Sequence, residues 1–307
     1  MTTILKPRKI KITKREIPVF KPITTLSHRK LTTDEIKRIV DKDGEFNDWT
    51  YQGVNGPDYW HRNFPVAAST YQSPVNIELS EVEYNESLTE LILTGYEDIQ
   101  MDKKLKLCNN GCTIKLKLEN GVRASRADFT NTYEALFVCF HWSTDNSRGS
   151  EHCVDGKSYP MEIQLIHKNT KYTEDEMFDK KDGLLMLAYF VEISDEENIN
   201  LSQITDNLKK IKYKGEEVKI DNFPLRTILP NNISKYYQYV GSLTTPPCNE
   251  CVTWIVLSDT INMSQEQMDN FRLLYSGDNN TSQLLHNNYR PLQKLHHRKI
   301  KTNILTL

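Results

Sequence analysis

The chain has 307 residues, is 38% hydrophobic and 26% charged, and carries a formal net charge of −2 with a mean hydropathy of −0.60. That length and polarity fit one large folded domain with extensions. They exclude a membrane-spanning reading, because no apolar run approaches the ~20 residues a span needs. The charge is unevenly placed: the first 30 residues hold nine basic side chains against Glu16, a net of +8, which leaves −10 on the remainder.

Residues 1–30 therefore read as a basic extended tail. Three prolines and the alternation Ile10-Lys11-Ile12 oppose a stable helix. Two readings stay open for it: a solvated tail, and an arm that docks along a protein partner with an acidic surface. Nucleic acid is a poor partner, since the acidic body would be repelled. No stretch reads as a secretory signal, and a mitochondrial presequence is opposed by the prolines and weak amphipathicity. Residues 31–46 are expected to form a short helix and linker, with Thr32 or Thr33 capping and Ile36, Ile39 and Val40 on one face.

A domain is expected over 47–300, mainly β with short peripheral helices, followed by a tail at 301–307. SPVNIEL and ELILTGY read as strands. The Asn109-Asn110-Gly111 turn joins two more, LKL and TIKLKL, into a hairpin. Leu136, Val138 and Phe140 alternate with Phe137, Cys139 and His141. Met161, Ile163, Leu165 and His167 alternate with Glu162, Gln164 and Ile166. Residues two apart in a strand share a face. Cys139 and His141 therefore lie side by side, and Gln164 on a neighbouring strand completes a triangle. Three groups from two strands at a pocket floor are a common way to build a catalytic zinc site.

Beyond this pair, Thr173 and Glu176 form a capping box before Met177, and Ser264 and Gln267 repeat the pattern before Met268, Phe271 and Leu274. Leu184 to Ile193 reads as a buried strand, and Thr253 to Leu257 as another. Ser202 is expected to cap a helix over 200–212, with Leu201, Ile204, Leu208 and Ile211 at helical spacing. The C-terminal segment is basic, with Lys294, Arg298, Lys299 and Lys301. His296 and His297 are expected to be exposed and without a metal role.

FHW, RGSEH, MEIQLIHKN and YVGSLTTPPCNECVTWIVL together resemble the α-carbonic anhydrases. DWTYQGVNGPDYWH, FPVAASTYQSPVNI, LCNNGCTIKL and NNYRP follow in the family's order, so the resemblance covers roughly residues 47 to 300. It implies an α-carbonic anhydrase-like fold: a large, central, mostly antiparallel twisted sheet with short peripheral helices, in the α+β, mainly β class. Trp49, Tyr51, Trp60 and Phe64 resemble that family's N-terminal aromatic cluster.

The same resemblance implies a damaged metal site. The family's three zinc histidines fall at Cys139, His141 and Gln164, and only His141 matches. His167 corresponds to a different histidine of that strand. The proton-shuttle histidine falls at Cys112. Thr244 matches the residue that orients the zinc hydroxide, Glu151 its carboxylate partner, and Glu162 the carboxylate that orients the third histidine, here expected to bond the Gln164 amide. Tyr51, Asn110, Leu243, Thr245 and Trp254 match pocket positions. The pattern is most similar to the acatalytic carbonic anhydrase-related proteins. It implies no zinc cofactor, no functional catalytic residue, and a binding or structural subunit of a larger assembly. The alternatives are CO2 hydration at an altered metal site, for instance zinc on Cys139, His141 and Cys112, and a redox-sensitive pocket built on Cys112 or Cys139.

Cysteine usage bears on compartment. Secreted relatives join the cysteine of TTPPC to one near the N-terminus; Cys248 is present, but the other position is Ala67. Cys248 and Cys251 have C-x-x-C spacing, yet no second pair completes a metal site, so they read as structural thiols. A reducing intracellular compartment is expected, cytoplasm or cytoskeleton ahead of mitochondrion.

Overall fold

The computed structural model describes residues 49–99, 103–118, 121–280 and 283–305. The basic tail at 1–30 and the helix expected at 31–46 lie outside the described residues. None of the described helices is long and apolar enough to cross a membrane.

The strands follow in chain order as β1 (Asn76–Ile77), β2 (Glu83–Tyr84), β3 (Ile92–Thr94), β4 (Lys104–Asn109) and β5 (Ile114–Lys117). Next come β6 (Arg123–Ser125), β7 (Tyr133–Trp142), β8 (Cys153–Val154), β9 (Met161–Asn169) and β10 (Leu184–Ser194). The last are β11 (Glu217–Asp221), β12 (Tyr236–Gly241), β13 (Val252–Leu257), β14 (Ile261–Ser264) and β15 (Lys301–Thr302). Thirteen of them form one sheet in the order β11-β4-β5-β7-β9-β10-β13-β12-β15-β2, with β3, β6 and β14 attached beside this path. Most neighbours are antiparallel; β10 runs parallel to β13 and β14, and β15 to β2. This is the mainly β architecture with a large mixed sheet that the sequence resemblance implies. Because β15 pairs with both β12 and β2, the sheet runs past the boundary drawn at residue 300.

The hairpin between β4 and β5 closes through Asn109↔Ile114. Asn110 Oδ1 accepts the N–H groups of Cys112 and Thr113 at 2.9 and 2.8 Å, and Gly111 takes φ +83°, where a side chain would be strained. The β7–β9 pair lies at the middle of the sheet, and its two faces enter different cores. Val138, Phe140, Trp142, Ile163 and Leu165 pack into one, with the C-terminal helix Gln265–Arg272 behind them. Phe137, Cys139 and Ile166 pack into the other, beside the cavity. One expectation fails here. The register shifts between Ala135 and Phe137, and Leu136 packs with Phe137 rather than with Val138 and Phe140. An inserted residue turns the following side chain to the opposite face.

The helix expected over 200–212 is broken into three short turns, Ile199–Leu201, Ser202–Thr205 and Leu208–Lys210. Asn198, not Ser202, supplies the capping oxygen. Asn207 interrupts the ladder: its N–H bonds Ile204 O at 3.1 Å while its side-chain amide takes Gln203 O at 2.9 Å. A side chain that competes for backbone carbonyls loosens a helix in this way. Leu201, Ile204, Leu208 and Ile211 are buried nonetheless. Both capping boxes form, at Thr173/Glu176 and Ser264/Gln267. Arg298 of the basic C-terminal segment is buried, donating to the carbonyls of Gln72, Val240, Lys294 and Leu295, so it holds the chain end rather than offering charge to a partner.

His167 is fully buried on the core face opposite Gln164. Tyr96 Oη lies 2.5 Å from its Nε2 and Leu185 O lies 3.2 Å from its Nδ1. Burial lowers its pKa from 6.5 to about 4 against the opposing pull of the Leu185 and Leu165 carbonyls. A histidine with a depressed folded-state pKa resists protonation, so its stabilising effect is complete above pH 6.5 and lost as pH falls towards 4. The loss amounts to about 3 kcal/mol. His167→Gln, which keeps a donor and an acceptor but does not titrate, is expected to flatten the acid limb of stability between those pH values in urea titrations.

Candidate functional site

The floor of the site is set by strand register. Cys139 of β7 stands directly opposite Gln164 of β9, and Gln164 opposite Ala188 of β10. His141 lies two residues beyond Cys139, so both side chains rise from the same face. Cys139 Sγ is 3.7 Å from His141 Nε2 and 3.8 Å from Gln164 Oε1. The triangle expected from sequence is assembled.

Above it opens a cavity of about 510 Å³. Tyr51, Asn110, Cys112, Leu243, Thr244 and Thr245 line it together with the three floor residues. Trp49, Lys115, Phe137, Ile166, Met186, Lys214 and His286 complete much of its wall. Trp254 and Glu162 do not line it. Trp254 lies fully buried against the His152 ring, 4.7 Å between centroids, and donates to Ser242 O at 3.0 Å. Tyr51 packs edge-on to Trp49 and Trp60, joining the aromatic cluster to the mouth of the cavity.

Behind the floor lies a buried polar network. Glu162 Oε2 accepts the N–H groups of Glu151 and His152 at 2.9 and 2.7 Å, while Oε1 accepts from His152 Nδ1 and Gln164 Nε2, both at 2.8 Å. His152 Nε2 then meets Tyr239 Oη at 2.7 Å. Burial raises the Glu162 pKa, but the adjacent His152 more than offsets this and holds the carboxyl below its usual range. Glu151 Oε1 accepts Arg290 N–H at 3.0 Å and its Oε2 accepts Gln164 Nε2 at 2.9 Å. Among the described residues Thr244 makes no hydrogen bond to Glu151. The hydroxyl–carboxylate pair implied by the resemblance is not formed, and Glu151 Oε2 accepts from the Gln164 amide.

His141 is fixed from both nitrogens. Nδ1 is 2.7 Å from Asn288 O, and Nε2 is 3.6 Å from Glu151 Oε2. Burial pulls its pKa down, but Glu151, the Cys139 contact and Asn288 O outweigh that and raise it to about 10. Burial pushes the Cys112 thiol up to about 11 against the opposing pull of Lys214 and Lys115. All six cysteines are free. Cys248 packs with Ala67 and Trp60, where the absent partner cysteine would stand. No group of three His, Cys, Asp or Glu side chains among the described residues is placed to share a metal ion, which includes Cys139, His141 and Cys112.

Sequence reasoning missed Asn288 and Arg290. Both are buried, 147 and 139 residues from the groups they hold, and only their place in the NNYRP motif marked them. Arg290 also ties the N-terminal segment to the site through Ala67 O, Ser73 O and Gln72 Oε1. Gln164→Leu removes the one group among the described residues that donates to both carboxylates. It is expected to cost about 2–4 kcal/mol in urea denaturation, since each buried carboxylate loses a hydrogen bond. A change within the scatter expected for a surface substitution would mean the amide does not hold the network together.

The sequence profile of the eukaryotic-type carbonic anhydrases matches residues 55–304. Carbonic anhydrase 6 of Homo sapiens is 38% identical over 262 residues, covering 84% of this chain and 83% of that protein. Carbonic anhydrase 6 of Bos taurus is 37% identical over 265 residues, covering 85% and 82%. Carbonic anhydrase 7 of Homo sapiens is 36% identical over 261 residues, covering 83% and 97%. With the sheet, the aromatic cluster and the cavity in place, this chain belongs to the eukaryotic-type carbonic anhydrase family.

Proposed function

We propose that this chain is a carbonic anhydrase homologue that holds no catalytic zinc and acts as a binding or structural subunit, in the manner of the carbonic anhydrase-related proteins. The observation that carries the reading is the Gln164 amide: both hydrogen bonds of its nitrogen go to buried carboxylates, at 2.8 and 2.9 Å. What it turns to the floor is a neutral amide oxygen, beside one imidazole and one thiol. Zinc in catalytic sites is held by imidazole, thiolate or carboxylate, and a lone amide oxygen is a weak substitute. The donor set does not fit the family's metal. Zinc would supply a bound water that ionises near pH 7, for which carbonic anhydrase is the type example; bulk water ionises near ~15.7. Among the described residues, no other group lining the cavity supplies that activation.

The binding role draws on charge. The +8 arm at 1–30 against a −10 remainder suits docking on an acidic protein surface within an assembly, and gives no reason to invoke nucleic acid. Six free thiols support a reducing, intracellular setting, cytoplasm or cytoskeleton ahead of mitochondrion. A second reading, CO2 hydration at an altered metal centre, draws on family membership and on the 3.7 Å Cys139–His141 approach, which two ligands of one ion could adopt.

Elemental analysis and a CO2 hydration assay on one purified sample separate these. The expected result is no zinc and no hydration; stoichiometric zinc with hydration would establish the second reading. The double variant Cys139→His with Gln164→His is expected to take up zinc and gain hydration activity, and a folded double variant that binds none would count against this account of the cavity. Deleting residues 1–30 is expected to abolish co-purification with the native partner, and undiminished association would remove the arm from the proposal.

A further inference from the structure

The walls of the cavity carry charge of one sign. Among the described residues no Asp or Glu side chain lines it, whereas Lys115 and Lys214 do, in a body that is acidic as a whole. Glu151 does not line it and lies behind the floor, 3.6 Å from His141 Nε2. Lys115 of β5 pairs directly with Cys139 of β7, which brings both side chains to the same face of the sheet. It is 8% exposed, and its Nζ lies 4.4 Å from the centre of the Phe137 ring. Lys214 lies against the Asn110–Gly111 turn. Its stem is so close that a Cβ at Gly111 would stand 2.7 Å from Lys214 Cδ, and its backbone N–H is tied to Gly277 O at 2.8 Å. Lys214 is half-buried and has no carboxylate within ion-pair distance among the described residues. Both lysines draw the Cys112 pKa down against burial, so their charges act on one stretch of wall. Asn110 stands on the same stretch. Its Oδ1 holds the turn, which leaves its amide N–H groups to donate.

A concavity lined by one sign of charge concentrates the opposite sign inside it. The volume of about 510 Å³ is that of a small-molecule pocket, far more than a simple ion needs. We infer that the cavity binds an amphipathic organic anion, with its carboxylate or phosphate head at Lys115 and Lys214 and its apolar body against Phe137, Ile166, Met186 and Leu243. This rests on the reading that the chain is a zinc-free binding module. The head accepts hydrogen bonds from the two ammonium groups and from the Asn110 amide. Hydrogen bonds to a charged acceptor are about twice as strong as neutral ones. A neutral molecule of the same shape displaces water from both ammonium groups and returns no charge-assisted bond, so the lysines select for the anion.

The test is isothermal titration of the full-length protein, its metal content measured first, with and without prior chelation. The probes are 4-phenylbutyrate and 4-phenylbutyl phosphate, each set against neutral 4-phenylbutanamide. At least one anion is expected to bind about tenfold more tightly than the amide, with or without chelator. Lys214→Gln is expected to weaken that anion about tenfold and leave the amide unchanged, and Lys115→Gln to do the same. The Lys214 result stands even if the variant at buried Lys115 fails to fold. Lys219→Gln, an exposed position of β11 outside the cavity, is expected to change neither ligand. Zinc-free protein that binds neither anion more tightly than the amide overturns the inference and leaves the metal-free reading intact. So does anion binding that Lys214→Gln leaves unmoved, or that Lys219→Gln weakens as much. Zinc in the sample, with anion binding that chelation abolishes and Lys214→Gln does not change, overturns the metal-free reading and this inference together.

Discussion

Two carboxylates lie buried behind the floor of this cavity, and one amide group bridges them. Glu151 and Glu162 are each about 1% exposed or less, and Gln164 Nε2 donates to both. Buried charge is tolerated only when it is paired or hydrogen-bonded. Glu162 meets that condition four times over, through two backbone N–H groups, His152 and Gln164. Glu151 depends on Gln164 and on the backbone of Arg290. The rest of the floor follows. With Glu151 held there, His141 carries a positive charge against it, and the ring is fixed by Asn288.

This arrangement gives both carboxylates a structural role. In the metal-free reading they are parts of the fold. Glu162 ties the loop at Glu151–His152 to β9, and through His152 it reaches Tyr239 of β12 and then Ser73. Arg290 carries the same connection from Glu151 to Ala67 and Ser73. The network thus joins the sheet's middle to the N-terminal segment and to the NNYRP segment. These residues are constrained by the fold itself, because they close the domain around this cavity.

The groups at the floor also bear on what the cavity can hold. Three imidazoles would present equivalent donors to one ion. A thiol, an imidazolium and an amide oxygen present three unlike groups, each already engaged with its neighbours. The walls around this set are mixed, with Phe137, Ile166, Met186 and Leu243 beside Asn110, Lys115 and Lys214.

Much of this was legible in the chain itself. Alternation along β7 and β9 placed Cys139, His141 and Gln164 on one face, because side-chain direction in a strand has a period of two residues. The capping boxes and the Asn-Gly turn were readable for the same reason: their hydrogen bonds are local. Three things escaped this reading, and two of them were decided only by tertiary structure. The bulge at Ala135–Phe137 is set by pairing with β9, so alternation misplaced Leu136. The break of the 200–212 helix comes from one asparagine bonding a carbonyl, which periodicity does not register. The Glu162 end of the Gln164 bridge was expected and is formed, whereas its Glu151 end and the Asn288 contact depend on groups up to 147 residues apart converging on buried charge. Sequence determined which donors stand at the floor; which of them remain free depends on what the folded chain brings up behind.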